Sequence, residues 1–312
     1  MVESPPDTLE ALHELFLHIQ AQPDEYRLGE KTMASLHGLL THPKDAAHSS
    51  ITELAVQFDV SPATLTRLSR RLGFESFNQF QELFKNSLST RQASFYSTQA
   101  TRLLEPRLDR SDSGHGTSTS QQAWQRLEQL ARENINNIHG FMQQLNSEQF
   151  QLAAQAIAQA GQVRIHGKRQ YSALAQFLCY GLTLIRPHVG LLEPNNLGLA
   201  EGLAQLQPGD VLITASVSPY TREVVQIGQQ AAAQGVTLLS LTDHTLSPLA
   251  ESANFTFAIP VQSSFYSNSI SAYFVFAEGL LNQVAWELGP QAIESIKNVE
   301  MQIQNLKIET LY

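Results

Sequence analysis

The 312-residue sequence is short of cysteine, of long apolar runs and of positive charge. Its single cysteine, Cys179, excludes an internal disulfide framework and any metal site assembled from several thiolates. No uncharged apolar stretch approaches the ~18 residues that a membrane-crossing helix needs. The first residues, MVESPPDTLEALHEL, are acidic and amphipathic and lack the basic start and apolar segment of a secretory leader. The ten histidines show no ligand spacing such as H-E-x-x-H. No serine sits in a G-x-S-x-G elbow, and no phosphate-binding P-loop is present. These absences lead to the expectation of a cytoplasmic protein with no membrane span, no metal and no cofactor.

The shortage of positive charge needs closer inspection, because 20 basic residues against 29 acidic ones give a net charge of −9. Within residues 61–91, however, Arg67, Arg70, Arg71, Lys85 and Arg91 outnumber Glu75 and Glu82. DNA affinity depends on the cation density that faces the phosphates, so a short basic strip suffices on an acidic chain. The strip is modest, and DNA binding through it is expected to depend on pairing of two copies.

Ordinary globular material makes up the rest, 42% hydrophobic and 16% charged. Residues 7–90 place apolar side chains at helical spacing throughout: Leu9, Leu12, Leu15, Phe16 and Ile19, then Met33, Leu36, Leu39 and Leu40. The small polar run at 111–121 marks a flexible linker, taken with its flanks as residues 91–122. A helix is expected from about 123 to 145, with Trp124, Leu127, Leu130, Ile135, Ile138 and Phe141 along one side, as a connecting or dimer-forming element. Beyond it, short apolar runs at 163–166, 189–192, 211–216, 237–241 and 255–259 alternate with helical stretches near 149–160, 172–185, 197–206, 221–234 and 270–288. Strands alternating with helices predict parallel crossovers, hence a doubly wound α/β sheet covered on both faces. Three regions follow: an all-α bundle at 1–90, the linker, and an α/β domain with its leading helix at 123–312.

The sharpest local pattern spans residues 50–74. Ile51, Leu54 and Ala55 form a short apolar stripe, and a tight connection follows at 58–60. Ser61 offers an N-cap hydroxyl, and Pro62 occupies the first helical position, where its missing N–H costs nothing. Leu65, Leu68 and Leu72 turn inward, which leaves Ala63, Thr64, Arg67, Arg70 and Arg71 on or near the outer side. This is the arrangement of a helix-turn-helix. Small groups at the helix start (Ser61, Ala63, Thr64) permit close approach to base edges. Arg67 has the reach for a guanine, and Arg70 and Arg71 suit phosphates. A bundle helix with solvated arginines has the same local pattern.

The longer series separates the two. Ser50-Ile-Thr-Glu-Leu-Ala, Val60-Ser-Pro-Ala-Thr-Leu-Thr-Arg and Leu72-Gly-Phe-Glu-Ser-Phe-Asn-Gln-Phe80, with unbroken spacing, make residues 8–90 resemble the N-terminal domain of the MurR/RpiR family of bacterial regulators. Residues 149–290 resemble the sugar-isomerase (SIS) domain that completes that family, through Ser216-Val-Ser-Pro-Tyr-Thr-Arg-Glu223, Thr242-Asp243 and Ser247-Pro-Leu-Ala250. The resemblance implies a five-stranded, flavodoxin-like parallel sheet, double-stranded DNA as partner, a homodimer or homotetramer, and an effector that is often a phosphosugar.

Elementary chemistry places that effector at the same loops. A strand end followed by a helix N-terminus presents backbone N–H groups and a positive dipole end to an anion. In a doubly wound sheet ligands settle at the carboxyl ends of strands where strand order reverses. Lys168, Arg169, Gln170, Tyr171 and Ser172 after the first strand, with Ser216, Ser218, Tyr220 and Thr221 after the third, are the candidate effector residues. Ser218-Pro219 is expected to cap the helix that follows. The sequence departs from the family's usual G-x-G-x-S first loop, with Lys168 and Arg169 adding fixed charge, and from its second loop, with Pro219 and Tyr220. Both departures resemble a side branch of the family, and they favour an anionic metabolite other than a simple aldose or ketose phosphate; a phosphosugar, or a pocket without a small ligand, are the alternatives. Arg169 is alternatively a partner for an acidic residue across a dimer. Ser247-Pro248 reads as a helix start, and Phe265-Tyr266-Ser267-Asn268 as either a closing loop or an ordinary turn. A carbonyl-moving isomerase needs a base beside the substrate. The candidates are His166, Glu193, Glu201, Glu223, His244 and Glu278, none within a defensible motif, so no catalytic residue is expected. An adaptor without DNA binding is the remaining alternative.

Overall fold

The computed structural model describes residues 5–21, 26, 28–93, 95–108, 119–193 and 198–309, in two compact units, Met1–Thr98 and Gln99–Tyr312. No described helix is long and apolar enough to cross a membrane.

The first unit is all α: α1 (Leu9–Ala21), α2 (Glu30–Thr41), α3 (Pro43–His48), α4 (Ile51–Gln57), α5 (Pro62–Arg71) and α6 (Phe77–Ala93). Its core is the set of inward positions set by helical spacing, Leu12, Phe16 and Ile19, Leu36, Leu39 and Leu40, then Leu54, Leu65, Leu68 and Leu72. Phe80 completes it, edge-on to both Phe74 and Phe84 at centroid separations of 5.2 and 5.1 Å. A reciprocal capping box starts α4: the Glu53 backbone N–H donates to Ser50 Oγ, and the Ser50 N–H donates to Glu53 Oε2 at 2.7 Å. Gln81 on α6 donates through Nε2 to the carbonyls of Ala46 and Ser49, which α3 leaves without helical partners.

Gly73 ends α5. Its φ of 94° lets the Phe74 N–H reach back to the Ser69 carbonyl at 3.0 Å, which drops Phe74 into the core. A β-carbon there is strained whatever the space. Gly73→Ala is therefore expected to destabilise the first unit by about 1–2 kcal/mol, the cost of a side chain in left-handed backbone, as read by urea denaturation.

Helix α7 (Phe95–Leu108) lies inside the stretch expected to be linker. It carries the apolar residues Phe95, Tyr96, Leu103 and Leu104, and the small polar run that suggested a linker begins only after it. Residues 111–118 of that run fall outside the described residues.

The second unit begins with α8 (Thr119–Gln144) and α9 (Ser147–Gln159). Then come β1 (Val163–Gly167), α10 (Tyr171–Ile185), β2 (Val189–Leu191), α11 (Leu199–Ala204), β3 (Val211–Ala215), α12 (Arg222–Ala233), β4 (Thr237–Thr242), β5 (Phe255–Ala258), α13 (Ser271–Leu288) and α14 (Pro290–Asn305). The five strands are all parallel, in the order β2-β1-β3-β4-β5, with Val163 beside both Val189 and Val211, Val211 beside Thr237 and Leu239 beside Phe255. Every residue of β3 is buried, as a central strand covered on both faces requires. Asp210 ties β1 to β3 at their entrance: its carboxylate accepts from the Gln162 and Gln207 backbone N–H groups and from Gln162 Nε2. Arg186, also buried, donates to the carbonyls of Ile157 and Ala160 and so closes the open end of α9. The five strands and their helices stand where periodicity puts them, within a residue or two. The exception is α14, whose start is marked by Pro290 yet was not expected.

Strand order reverses between β1 and β3, since β2 lies outside β1 while β4 and β5 continue beyond β3. The loops at 168–170 and 216–221 therefore leave neighbouring strand ends at the switch point, with Gly167 beside Ala215.

Candidate DNA-reading helix and effector loops

In the first unit the second helix of the motif, α5, is built from its cap outward. The Thr64 N–H donates to Ser61 Oγ at 3.2 Å, the two hydroxyls lie 2.9 Å apart, and Pro62 fills the first turn. With Leu65, Leu68 and Ser69 buried, Ser61, Ala63, Arg67, Arg70 and Arg71 all stand at the surface. Ala63, Arg67 and Arg70 follow one another at i, i+4 and i+7, so they share a face. Thr64 is half-buried, with Arg67 Nη2 at 3.4 Å from its hydroxyl. The turn before α5 holds Asp59 at φ 51°, its carboxylate taken by Lys31 Nζ at 2.7 Å. The exposed arginine face and the small-residue helix start are thus presented together, as a groove-reading helix requires.

In the second unit, the loop after β1 turns tightly. A β-carbon on Gly167 would stand 2.6 Å from the Tyr171 carbonyl oxygen, so only glycine fits. Arg169, where the family pattern has its second glycine, adopts φ 58°, a left-handed backbone kept at a cost of about 1–2 kcal/mol. Its carbonyl accepts the Ser172 hydroxyl at 2.7 Å, and its side chain is exposed. Gln170 faces the 262–269 segment: Nε2 donates to the Asn268 carbonyl, and Oε1 accepts the Ser267 hydroxyl at 2.6 Å. Tyr171, expected beside a ligand, is instead buried as the first residue of α10, ring-to-edge with Tyr273 at 5.1 Å. Its place at the start of an inward-facing helix stripe with Leu174 and Leu178 explains the turn inward.

The loop after β3 is held from beneath. Ser216 Oγ accepts the Thr221 N–H at 3.0 Å. Asp243, at the end of β4, accepts the Ser218 N–H through Oδ2 and the Tyr220 hydroxyl through Oδ1 at 2.8 Å. Asn268 Nδ2 donates to the Ser218 carbonyl. Ser218-Pro219 consequently lies in the loop and caps nothing, and α12 starts later, at Arg222, with Thr221 as N-cap and no side-chain cap bond. Ser247-Pro248 likewise opens no helix; Ser247 Oγ accepts the Ala250 N–H in a single turn.

Beneath both loops sits a titratable cluster. His166 is buried, and its Nδ1 lies 2.7 Å from the Leu192 carbonyl, which fixes the proton on that nitrogen. Nε2 then stands 3.4 Å from Glu223 Oε1, in the first turn of α12, and Lys168 Nζ is 3.4 Å from the same oxygen. Burial holds the His166 pKa below its ordinary value of 6.5; the Leu192 bond opposes the shift, Lys168 adds to it, and Glu223 and Glu193 oppose it. The unfolded chain binds this proton first as pH falls. Stability from the site is therefore complete above about 6.5 and declines below it, until pH passes the lower folded value. His166→Gln is expected to flatten that decline, as followed by thermal melting between pH 7 and 5.

The 262–269 segment is the part of the site that sequence reasoning left open between a closing loop and a turn. Glu133 on α8 accepts the Ser264 N–H and hydroxyl at 2.6 and 2.8 Å, and Asn137 Nδ2 donates to the Gln262 carbonyl. Since Ser267 and Asn268 grip Gln170 and Ser218, this segment joins α8 to both candidate loops. Only the long-range pairing reveals the link. The one signal in the sequence was the run of small polar residues Ser263, Ser264, Ser267, Asn268 and Ser269.

A model of the helix-turn-helix domain of the rpiR family matches residues 14–91, and a SIS domain model matches residues 156–282. An uncharacterized HTH-type transcriptional regulator of Caldanaerobacter subterraneus is 25% identical over 228 residues, covering 73% of this chain and 74% of that one. Another from Thermotoga maritima is 22% identical over 293 residues, 93% of this chain and 98% of its own. The sugar isomerase domain of the RpiR transcription factor from Sphaerobacter thermophilus is similar in fold, with a TM-score of 0.54 and 28% identity over 57% of this chain and 99% of that one. Both domains are present in tandem, each around the site residues described above, and the chain belongs to the RpiR family of helix-turn-helix transcriptional regulators.

Proposed function

We propose that the chain is a DNA-binding transcription regulator whose α/β domain senses an anionic, hydroxyl-bearing metabolite. The observation that carries this reading is the exposed Ala63-Arg67-Arg70 face of α5 on a chain that continues into a SIS domain. The effector lies between the 168–172 and 216–221 loops. Arg169 and the uncapped first turn of α12 favour the anionic group. Glu223 stands beside Lys168 and disfavours a second negative charge there, so it suits the hydroxyls of a phosphosugar or related sugar acid. Ser216 and Ser218 shape the loop more than they contact the ligand, because Ser216 Oγ accepts an internal N–H and Ser218 is tied through its backbone.

Fluorescence anisotropy on DNA upstream of the chain's own gene, against scrambled DNA over a salt series, tests the regulator. Saturable binding that prefers the upstream sequence and weakens linearly in log salt is expected. No binding to either DNA at low salt overturns the reading. The approach of buried, neutral His166 through Nε2 to half-exposed Glu223 is the observation that favours a sugar-phosphate isomerase instead, and turnover of aldose and ketose phosphates would then be assayed. Once an effector is in hand, Arg169→Ala is expected to abolish the response and keep DNA affinity; loss of both marks a structural arginine.

A further inference from the structure

Arg186 carries a charge that its surroundings only partly answer. It follows α10 with 5% of its surface exposed, and its guanidinium donates to the carbonyls of Ile157, Ala160 and Pro187. A guanidinium has five N–H groups, so those three bonds leave two over. The open carbonyl end of α9 offsets about half a unit of charge. No carboxylate among the described residues pairs with Arg186, and burial alone pulls its pKa below the ordinary value. A buried cation left in this state is costly unless something else completes it. Arg186 also forms part of the wall of an open cleft of about 400 Å³, within the range of small-molecule sites. Gln291, Glu294 and Asn298, at i, i+3 and i+7 on one face of α14, form the facing wall. Between the walls the chain turns into β2 through Pro187 and His188, with His188 in left-handed backbone at φ 59°. Glu294 is exposed and has no cationic partner among the described residues.

We propose that this cleft is a second ligand site, for a small zwitterion of the amino-acid class. The ligand's carboxylate meets Arg186, and its ammonium meets Glu294. Two opposite charges line one cleft, yet they stand too far apart to pair with each other. A molecule that carries both signs answers both, whereas a simple anion leaves Glu294 facing a like charge. The amides of Gln291 and Asn298 engage no other group among the described residues and suit the polar remainder of the ligand. The cleft lies at the entry of β2, whereas the 168–172 and 216–221 loops leave the far ends of β1 and β3. The two ligands therefore do not compete for one place, and this site stands independently of the effector loops.

Isothermal titration calorimetry of the full chain with each of the protein amino acids in turn tests the site. At least one is expected to bind saturably. N-acetylation of that amino acid, which removes its ammonium charge, and amidation of its carboxylate are each expected to weaken binding roughly tenfold or more. Glu294→Gln is expected to weaken binding of the free amino acid as much, and to leave thermal melting without ligand unchanged, because Glu294 is exposed and unpaired. Glu300→Gln, exposed on another side of α14, leaves the affinity as it is. Binding of none of the amino acids overturns the proposal. An affinity indifferent to Glu294→Gln also overturns it and moves the ligand to another place on the chain. Acetate binding as tightly as the amino acid overturns it too, and leaves a pocket for anions only.

Discussion

Replacing Arg70 and Arg71 together by alanine is expected to flatten the salt dependence of DNA binding, with little loss of fold. Both side chains are exposed on the last turn of α5, and neither contributes to the Leu65, Leu68 and Leu72 core beneath. Each phosphate contact adds about 0.9 to the slope of log affinity against log salt, so the slope falls by about 2 per protomer. Between 50 and 200 mM salt the wild type then loses roughly tenfold more affinity per half-site than the variant. Sequence preference survives, because phosphate contacts position the protein without reading bases. Arg67→Ala is the contrasting change: it lies a turn nearer the helix start, beside Thr64, and its loss relaxes preference more than slope. An unchanged slope in the double variant would remove Arg70 and Arg71 from the phosphate interface.

The helix-turn-helix was legible because its determinants are local. Ser61, Pro62 and the leucine spacing define α5 within ten residues, and Gly73 ends it. The sheet was legible for a similar reason, since each strand is a short apolar run with its own turn signal. What stayed hidden depends on pairings across the chain. His166 and Glu223 meet because β1 and β3 are neighbours, and Asp243 reaches Ser218 from the next strand. The stripe on α8 was read as one apolar side including Phe141. Packing separates Phe141, which is buried, from Trp124, Leu127 and Ile135, which are exposed. Hydrophobic periodicity cannot tell a face buried in its own domain from one offered to a partner.

The packed face of α8 bears on how a bound effector would act. The body-facing side grips the 262–269 segment, and that segment grips Gln170 and Ser218. A ligand that moves either loop therefore changes what α8 holds. Such a helix transmits only differential affinity: an effector that binds two arrangements equally shifts neither. Glu133→Gln weakens the grip on Ser264 without touching either loop, which makes it the variant that separates transmission from binding.

Asp243→Ala is expected to have the largest effect within the second unit. Its carboxylate accepts the Ser218 N–H, the Tyr220 hydroxyl and, at 3.2 Å, the Thr242 hydroxyl. Removing the acceptor leaves a half-buried N–H and phenol without their charged partner. Hydrogen bonds to an ionised group contribute roughly 1.5–3 kcal/mol each, and partial exposure lets water replace part of that, so a loss of about 3 kcal/mol is expected. The deficit belongs to the second unit, so a denaturation curve should show one transition moving and the other, from the helical bundle, staying in place. Asp243→Asn keeps one acceptor and should recover part of the loss. Hydrogen exchange locates the damage: faster exchange confined to 216–221 assigns Asp243 to holding the effector loop, whereas faster exchange throughout β3 and β4 assigns it to the sheet as a whole.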